Sequence, residues 1–212
     1  MTDILPYLPG FLAAYAILLV GAASPGPSVA MLIGLVMSQG RAPALTASLG
    51  IAIGSVTINL LTMLGVGLIL SQAAWAMSLL RLVGAAYLLY LAWGAFRKAL
   101  NPPALQPVQG SKRHSHARYF ATGYLLQVTN PKAIAFWLAI AAVGAVDGAG
   151  AGIVALFVLG AFLISFTCHA AWAMALSAPP LRRGYAAGRR WIETVLGAFF
   201  VFAAVKMAVS RV

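Results

Sequence analysis

The chain has 212 residues, of which 62% are hydrophobic and 8% are charged, with a mean hydropathy of +0.94 and a formal net charge of +11. A soluble domain of this composition would expose a large apolar surface, so the composition excludes a soluble protein and predicts a lipid environment. The fourteen Lys and Arg residues are not gathered on one soluble face with stacking aromatics, so the charge does not indicate a nucleic-acid partner.

Six apolar stretches predict an all-α membrane protein with six transmembrane helices. A helix needs about 20 apolar residues to cross the hydrocarbon core. The stretches cover residues 7–37, 44–70, 79–96, 119–146, 152–178 and 191–209. We predict a single membrane transport domain over 1–212, with half-repeats 1–98 and 118–212 joined by a basic loop, 99–117. Only Asp3 is charged ahead of the first stretch, so we expect no cleaved secretory signal.

Basic residues concentrate in alternate connections. Connections one, three and five hold ten Lys and Arg residues, whereas only Arg81, Lys206 and Arg211 lie on the other side. By the positive-inside rule, these three connections are cytoplasmic, and both termini face outward from a multi-pass protein of the bacterial cell inner membrane. If the first span instead enters the membrane only partway at its proline break, the N-terminus lies inside.

The two halves of the chain carry matching helix breaks. Ser24-Pro-Gly-Pro27 in the first span corresponds to Asn130-Pro-Lys132 in the fourth, and residues 82–86 resemble residues 195–199. Three spans per half is an odd number, so the second half inserts upside down. This predicts two inverted three-helix repeats and indicates alternating access. The alternative is that Leu, Gly and Ala recur by chance in membrane helices.

The first span is predicted to be interrupted at Pro25, Gly26 and Pro27. Proline lacks a backbone N–H, and its ring clashes with the carbonyl one turn back, so a regular helix cannot continue through two prolines. Freed backbone groups are costly in hydrocarbon, so the break should be buried against protein or line a wet cavity. A half-helix beginning near Pro27 offers free N–H groups and a positive dipole end, which attract a carboxylate.

The fourth span is predicted to be interrupted at Pro131 and to carry an intramembrane lysine. Lys132 stands about 20 Å along a helix from Arg118, at about 1.5 Å per residue, and is therefore well inside the bilayer. A lysine at that depth is expected to face the bundle interior for a functional reason, and binding a substrate carboxylate is the simplest one. The alternative is that Pro131 merely kinks the span and that Lys132 is tied to carbonyls freed in the first.

Polar side chains near these breaks complete the candidate site. Asn59, Tyr87 and Gln127 could supply polar contacts to the substrate, or they could hydrogen-bond one helix to another. The candidate substrate-binding residues are therefore Ser24, Pro25, Gly26, Pro27, Asn59, Tyr87, Gln127, Asn130, Pro131 and Lys132.

Three segments carry a family resemblance: Ser24-Pro-Gly-Pro27, Asn130-Pro-Lys-Ala133 and Gly84-Ala-Ala-Tyr-Leu-Leu-Tyr-Leu91. The chain resembles the lysine exporter (LysE/RhtB) family of amino-acid efflux proteins over nearly its whole length. The resemblance implies an inner-membrane exporter of amino acids or related metabolites that is driven by the proton motive force. It implies a secondary transporter without a cofactor, and it does not identify the substrate.

One departure from the family pattern concerns the coupling ion. Many relatives carry an aspartate early in the second span, where this sequence has Gly54-Ser55. The acids are Asp3, Asp147 and Glu193, and we place Glu193 near an end of the sixth span. The candidates for proton coupling are then Lys132 and His169, although His169 could also serve helix packing. The scarcity of buried anions favours neutral amino acids over lysine.

Other classes of function are less well supported by the sequence. An enzyme would need a catalytic constellation, and the pair Ser165 and His169 lacks a third orienting group. His114 and His116 form an HxH pattern without an acidic or thiol partner, so we predict no metal site. An exporter of metal or other ions is the alternative function. A homodimer could form through the glycines of Gly50-Ile-Ala-Ile-Gly54, although the same motif serves packing within one chain.

Overall fold

The computed structural model describes residues 4–72, 74–102 and 114–209, and the part of the chain that it describes is helical without strands. After a short 3₁₀ turn at Leu5–Tyr7, the helices are α1 (Leu8–Ala23), α2 (Pro27–Gln39), α3 (Arg41–Gln72), α4 (Ala74–Leu100), α5 (His116–Val128), α6 (Pro131–Ala141), α7 (Ala151–Ala175) and α8 (Pro179–Val209). Most of the basic loop predicted at 99–117, including Lys112 and Arg113, lies outside the described residues.

The chain breaks between α1 and α2, where the two prolines predict it. Ser24 is extended with a ψ of 137°, and Gly26 is extended with φ −164° and ψ −169°. Helix α2 then begins with Pro27, whose missing N–H costs nothing in the first helical position. No side chain caps the N-terminus of α2. Its first turn therefore keeps backbone N–H groups that are available to a ligand.

A second break separates α5 from α6, also at the predicted proline. Asn130 is extended with a ψ of 109°, and Pro131 takes the first position of α6. The Asn130 side chain accepts a hydrogen bond of 3.1 Å from the backbone N–H of Lys132. This N-cap, together with proline at N1, stabilises the start of α6 in a defined direction.

Long apolar helices make this an all-helical membrane protein. Three helical segments of the described chain are long and apolar enough to cross a bilayer, namely Leu5–Ala23, Arg41–Gly65 and Ala151–Ala175. Large apolar side chains point outward, among them Leu61 and Leu64 on α3, which are 63% and 68% exposed. In water such a surface would aggregate, whereas in lipid it is the expected exterior.

Close helix packing surrounds the breaks. Helix α3 packs along both α5 and α7, and α4 packs along α8. Gly50 and Gly54 of α3 meet α5, where an added Cβ at Gly50 would overlap the Phe120 carbonyl and one at Gly54 would lie 3.0 Å from Gln127 Cβ. The glycine face from which we considered a homodimer is thus used for contact within the chain.

Helix α8 begins earlier than the sixth apolar stretch. The prediction started that span at residue 191, but α8 starts at Pro179 and includes Arg182, Arg183, Arg189 and Arg190. Arginine favours helix about as well as leucine does, so a charged turn ends the apolar pattern without ending the helix. Glu193 is therefore well inside α8.

Candidate functional site

Lys132 connects the two helix breaks. Its Nζ donates a hydrogen bond of 2.8 Å to the carbonyl oxygen of Ser24, and an added Cβ on Gly26 would lie 3.1 Å from the same nitrogen. The Ser24 carbonyl belongs to the residue that caps the C-terminus of α1, so it has lost its helical partner. The residues predicted from sequence at both breaks meet at this point.

The C-terminus of α1 is held by two long side chains from other helices. Trp172 of α7 donates its indole N–H to the carbonyl oxygen of Ala23 at 3.2 Å, beside the bond from Lys132 to Ser24. The alternative role for Lys132, binding a carbonyl freed in the first span, is thus part of the structure. An ammonium has three donors, however, so this bond leaves two for a ligand.

A second polar bridge crosses between the halves. Ser28, in the first turn of α2, donates a hydrogen bond of 3.2 Å to the side-chain oxygen of Gln127, near the end of α5. Ser28 and Gln127 are 6% and 5% exposed. A buried pair of this kind fixes the relative position of α2 and α5, because either partner would be costly to leave alone.

A large cavity of about 480 Å³ opens beside the breaks. This volume falls within the range of small-molecule sites. The walls combine both breaks with one face of α4 and one of α8. Among the lining residues are Pro25, Gly26, Pro27, Tyr87, Arg97, Lys98, Asn130, Pro131, Lys132 and Glu193.

A smaller cavity of about 30 Å³, which we call the inner cavity, is also lined by Lys132. That is space for one or two water molecules. Gly26, Asn130 and Lys132 line both cavities, so we call these three residues the partition. The polar groups around the inner cavity include Ser24, Ser28, Ser55, Gln127, Ser165 and His169.

His169 is buried at the inner cavity. Its Nδ1 lies 2.7 Å from the Ser165 carbonyl oxygen, and because a carbonyl can only accept, Nδ1 carries a proton. The remaining ring nitrogen, Nε2, is then the one that can bind or release a proton. The Ser165 hydroxyl is buried without a hydrogen-bond partner among the described residues.

Ser55 also lines the inner cavity, and it belongs to the Gly54-Ser55 pair at which the sequence departs from the family pattern. Its hydroxyl accepts a hydrogen bond of 3.0 Å from the indole N–H of Trp137. The inner cavity therefore has a neutral hydroxyl at this departure from the pattern.

The structure separates Asn59 from the other candidates. Asn59 lines a third cavity, of about 190 Å³, together with Asp147 of the connection between α6 and α7. It is not among the residues that line the large or the inner cavity. Tyr87 does line the large cavity, as a candidate contact should.

Glu193 is a cavity-lining residue that the sequence interpretation did not include among the candidates. We placed it near an end of the sixth apolar stretch, and the structure adds that α8 extends back to Pro179 and that Glu193 is 1% exposed. It lines the large cavity with Lys132. A signal was present in the sequence: Glu193 is the single acid of its helix and follows Arg189 by one turn.

A family comparison decides the class of the protein. The family model described as "LysE type translocator" matches residues 19–211. The chain belongs to the LysE-type translocator family. It is therefore a membrane transport protein, and among the described residues no group of three His, Cys, Asp or Glu side chains is placed to hold a metal ion.

Curated relatives of this translocator are efflux proteins or uncharacterised membrane proteins. It is 29% identical to the threonine efflux protein of Escherichia coli K12 over 95% of this chain and 98% of the relative. It is 30% identical to the threonine efflux protein of Salmonella typhi over 89% of this chain and 92% of the relative. An uncharacterised membrane protein of Pseudomonas aeruginosa is 33% identical to the translocator over 65% of this chain and 62% of the relative's length. No solved structure matches the translocator significantly.

Proposed function

We propose that this translocator exports small neutral amino acids across the bacterial inner membrane and binds them in the large cavity against the partition. The observation that carries the proposal is the placement of Lys132 Nζ. It lies 2.8 Å from the Ser24 carbonyl oxygen, and Lys132 lines a cavity large enough for a small-molecule ligand.

The carboxylate of the substrate would bind at the partition. Lys132 has two ammonium donors left after its bond to Ser24, and the N-terminus of α2 begins beside it without a side-chain cap. A positive side chain and the positive end of a helix dipole then act on one point. This combination favours an anion of carboxylate size.

Two observations favour a neutral amino acid as the substrate: the charged residues that line the cavity and the names of two relatives. The large cavity is lined by the cations Arg97, Lys98 and Lys132 and, among its described lining residues, by one carboxylate, that of Glu193. A cationic side chain would need a further buried anion that this lining does not supply, so the cavity suits a neutral amino acid better. Two relatives that align over most of the chain are named for threonine efflux, which agrees with this substrate class.

Six transmembrane segments in two inverted repeats would supply the transport movement. The helix contacts are approximately symmetric if α1, α2, α3 and α4 correspond in that order to α5, α6, α7 and α8. Under this correspondence, the contact of α3 with α5 matches that of α7 with α1, and the contact of α3 with α6 matches that of α7 with α2. The contact of α4 with α8 corresponds to itself. This approximate correspondence supports two repeats, with α1 and α2 together as one interrupted segment and α5 and α6 as the other, and three segments per repeat would make the repeats inverted.

The large cavity would face the cytoplasm. Arg97 and Lys98 near the end of α4 line it, and positive residues of this kind mark the cytoplasmic side. Outward passage is closed by a buried apolar cluster, in which Leu18 and Trp137 border the inner cavity and Ile140 and Phe157 border the third. Export then requires this cluster to open while the partition closes behind the substrate.

The proton motive force would drive this cycle, as the family resemblance implies. His169 and Lys132, which both line the inner cavity, are the groups we propose for proton coupling. Their common cavity would let substrate binding at one influence proton binding at the other.

Efflux from vesicles tests the proposed function. The full-length chain is reconstituted into liposomes loaded with labelled threonine, serine, alanine, lysine or a divalent cation, with and without a proton gradient. We expect threonine and its small neutral neighbours to leave fastest and the gradient to accelerate them. If no amino acid leaves faster than from protein-free vesicles, the proposal fails, and selective release of the cation would favour an ion exporter.

A further inference from the structure

The buried carboxylate of Glu193 has an oxygen that accepts no hydrogen bond within the part of the chain that the structure describes. It is 1% exposed, its Oε1 accepts no hydrogen bond from the described residues, and Arg189 Nε approaches that oxygen only to 4.0 Å. The Arg189 guanidinium lies 5.7 Å from the centre of the Tyr185 ring, so it has another contact. Buried carboxylates are costly unless hydrogen-bonded, which points to a missing donor.

The missing donor fits a ligand of the large cavity. Glu193 lines that cavity from α8, while Lys132 lines it from the start of α6. The titratable groups that share this lining are Lys98 and Arg97 of α4, with Tyr87 and Tyr90 on the same helix. Among the described residues that line this cavity, Glu193 is therefore the one acid, and the other charged groups are cations.

We propose that Glu193 binds the α-ammonium group of the substrate while Lys132 and the N-terminus of α2 bind its carboxylate. An α-amino acid carries an ammonium and a carboxylate on the same carbon atom, so a site that binds both charges needs an anionic and a cationic group in one cavity. The large cavity supplies both. Charge-assisted hydrogen bonds to the ammonium would also satisfy the Glu193 carboxylate. This inference rests on the proposed export of amino acids and adds the group that recognises them as amines.

Recognition of this kind makes a free α-ammonium a requirement. The matching 2-hydroxy acid has the same carboxylate and side chain but carries a hydroxyl in place of the ammonium. It would bind Lys132 equally well and Glu193 poorly. The translocator should thus prefer an amino acid to its 2-hydroxy acid by about tenfold or more, the effect of one charge-assisted hydrogen bond.

The test is counterflow in liposomes that hold the full-length chain. Counterflow of labelled threonine needs no driving force, so it separates substrate binding from proton coupling. We expect unlabelled amino acid to compete at least about tenfold better than its 2-hydroxy acid in the parent protein. In Glu193→Gln this preference should disappear, because the amide carries no charge to distinguish the two. Glu193→Asp should keep the preference with a higher KM.

Arg189→Gln is the matched control. It removes the neighbouring cation and leaves Glu193 in the cavity, so the preference should persist. If Arg189→Gln loses the preference to the same degree, the pair of Arg189 and Glu193 is structural and the inference is overturned. Equal competition by the 2-hydroxy acid in the parent protein would also overturn it. A preference for the amino acid that survives in Glu193→Gln would overturn it as well. Absence of any amino-acid counterflow in the parent would instead reject the proposed function.

Discussion

The ammonium of Lys132 donates to the carbonyl oxygen of Ser24 across 2.8 Å, and this one bond joins two helix breaks that lie 108 residues apart in the chain. Lys132 also lines both the large and the inner cavity. A movement of either break must therefore alter the bond, the partition and the carboxylate site together.

Gly26→Ala should impair transport without unfolding the protein. Gly26 is extended, so alanine causes no backbone strain there, but its Cβ would lie 3.1 Å from Lys132 Nζ and 3.3 Å from Cδ. The lysine must shift by a few tenths of an ångström, which perturbs its hydrogen bond to the Ser24 carbonyl. We expect a loss of up to about tenfold in the initial rate of threonine counterflow, as for one weakened charge-assisted bond. Gly65→Ala, with open space around the added Cβ, is the control and should transport normally.

The bond between Ser28 and Gln127 should stabilise the fold more than it contributes to substrate selection. Ser28→Ala leaves the Gln127 oxygen buried without its donor, which costs about 1–3 kcal/mol. The measurement is the unfolding temperature in detergent of Ser28→Ala, Gln127→Leu and the double variant. The decreases in unfolding temperature of the two single variants should add up to more than the decrease of the double variant. Strict additivity would mean that the two side chains do not interact.

Gly50→Ala and Gly123→Ala should destabilise the protein. An added Cβ would overlap the Phe120 carbonyl in the first variant and the Ala47 carbonyl in the second, so α3 and α5 must move apart. Overpacking of this kind costs about 1–3 kcal/mol. Both variants should unfold several degrees below the parent in detergent, whereas Gly65→Ala should not. An unchanged unfolding temperature for both would contradict the close approach of the two helices.

The breaks were predictable from sequence because proline acts locally. Pro25, Pro27 and Pro131 remove backbone donors wherever the chain goes, so a regular helix is interrupted at each of these places. The position of each side chain around its helix was not predictable. Membrane spans are apolar all round, so no hydrophobic stripe indicates the inner face. That is why Asn59 was grouped with a cavity that it does not line.

Glu193 was left out of the predicted site for a related reason. The apolar pattern ends where the arginines of α8 begin, and an apolar pattern is the main sign of a span. The helix itself continues back to Pro179, because arginine is a good helix former. The pairing of Glu193 with Lys132 in one cavity depends on α8 lying along α4, which is a tertiary contact without a local sequence signal.

The central claim is that Lys132 binds the carboxylate of an exported amino acid, and counterflow of labelled threonine with Lys132→Met tests it most directly. Methionine keeps most of the apolar stem and removes the ammonium, and Arg183→Gln, on the exposed start of α8, is the matched control for loss of one positive charge. We expect Lys132→Met to reach the membrane in normal amounts and to exchange threonine no faster than protein-free liposomes, while Arg183→Gln exchanges it normally. Exchange by Lys132→Met at the parent rate would contradict the account.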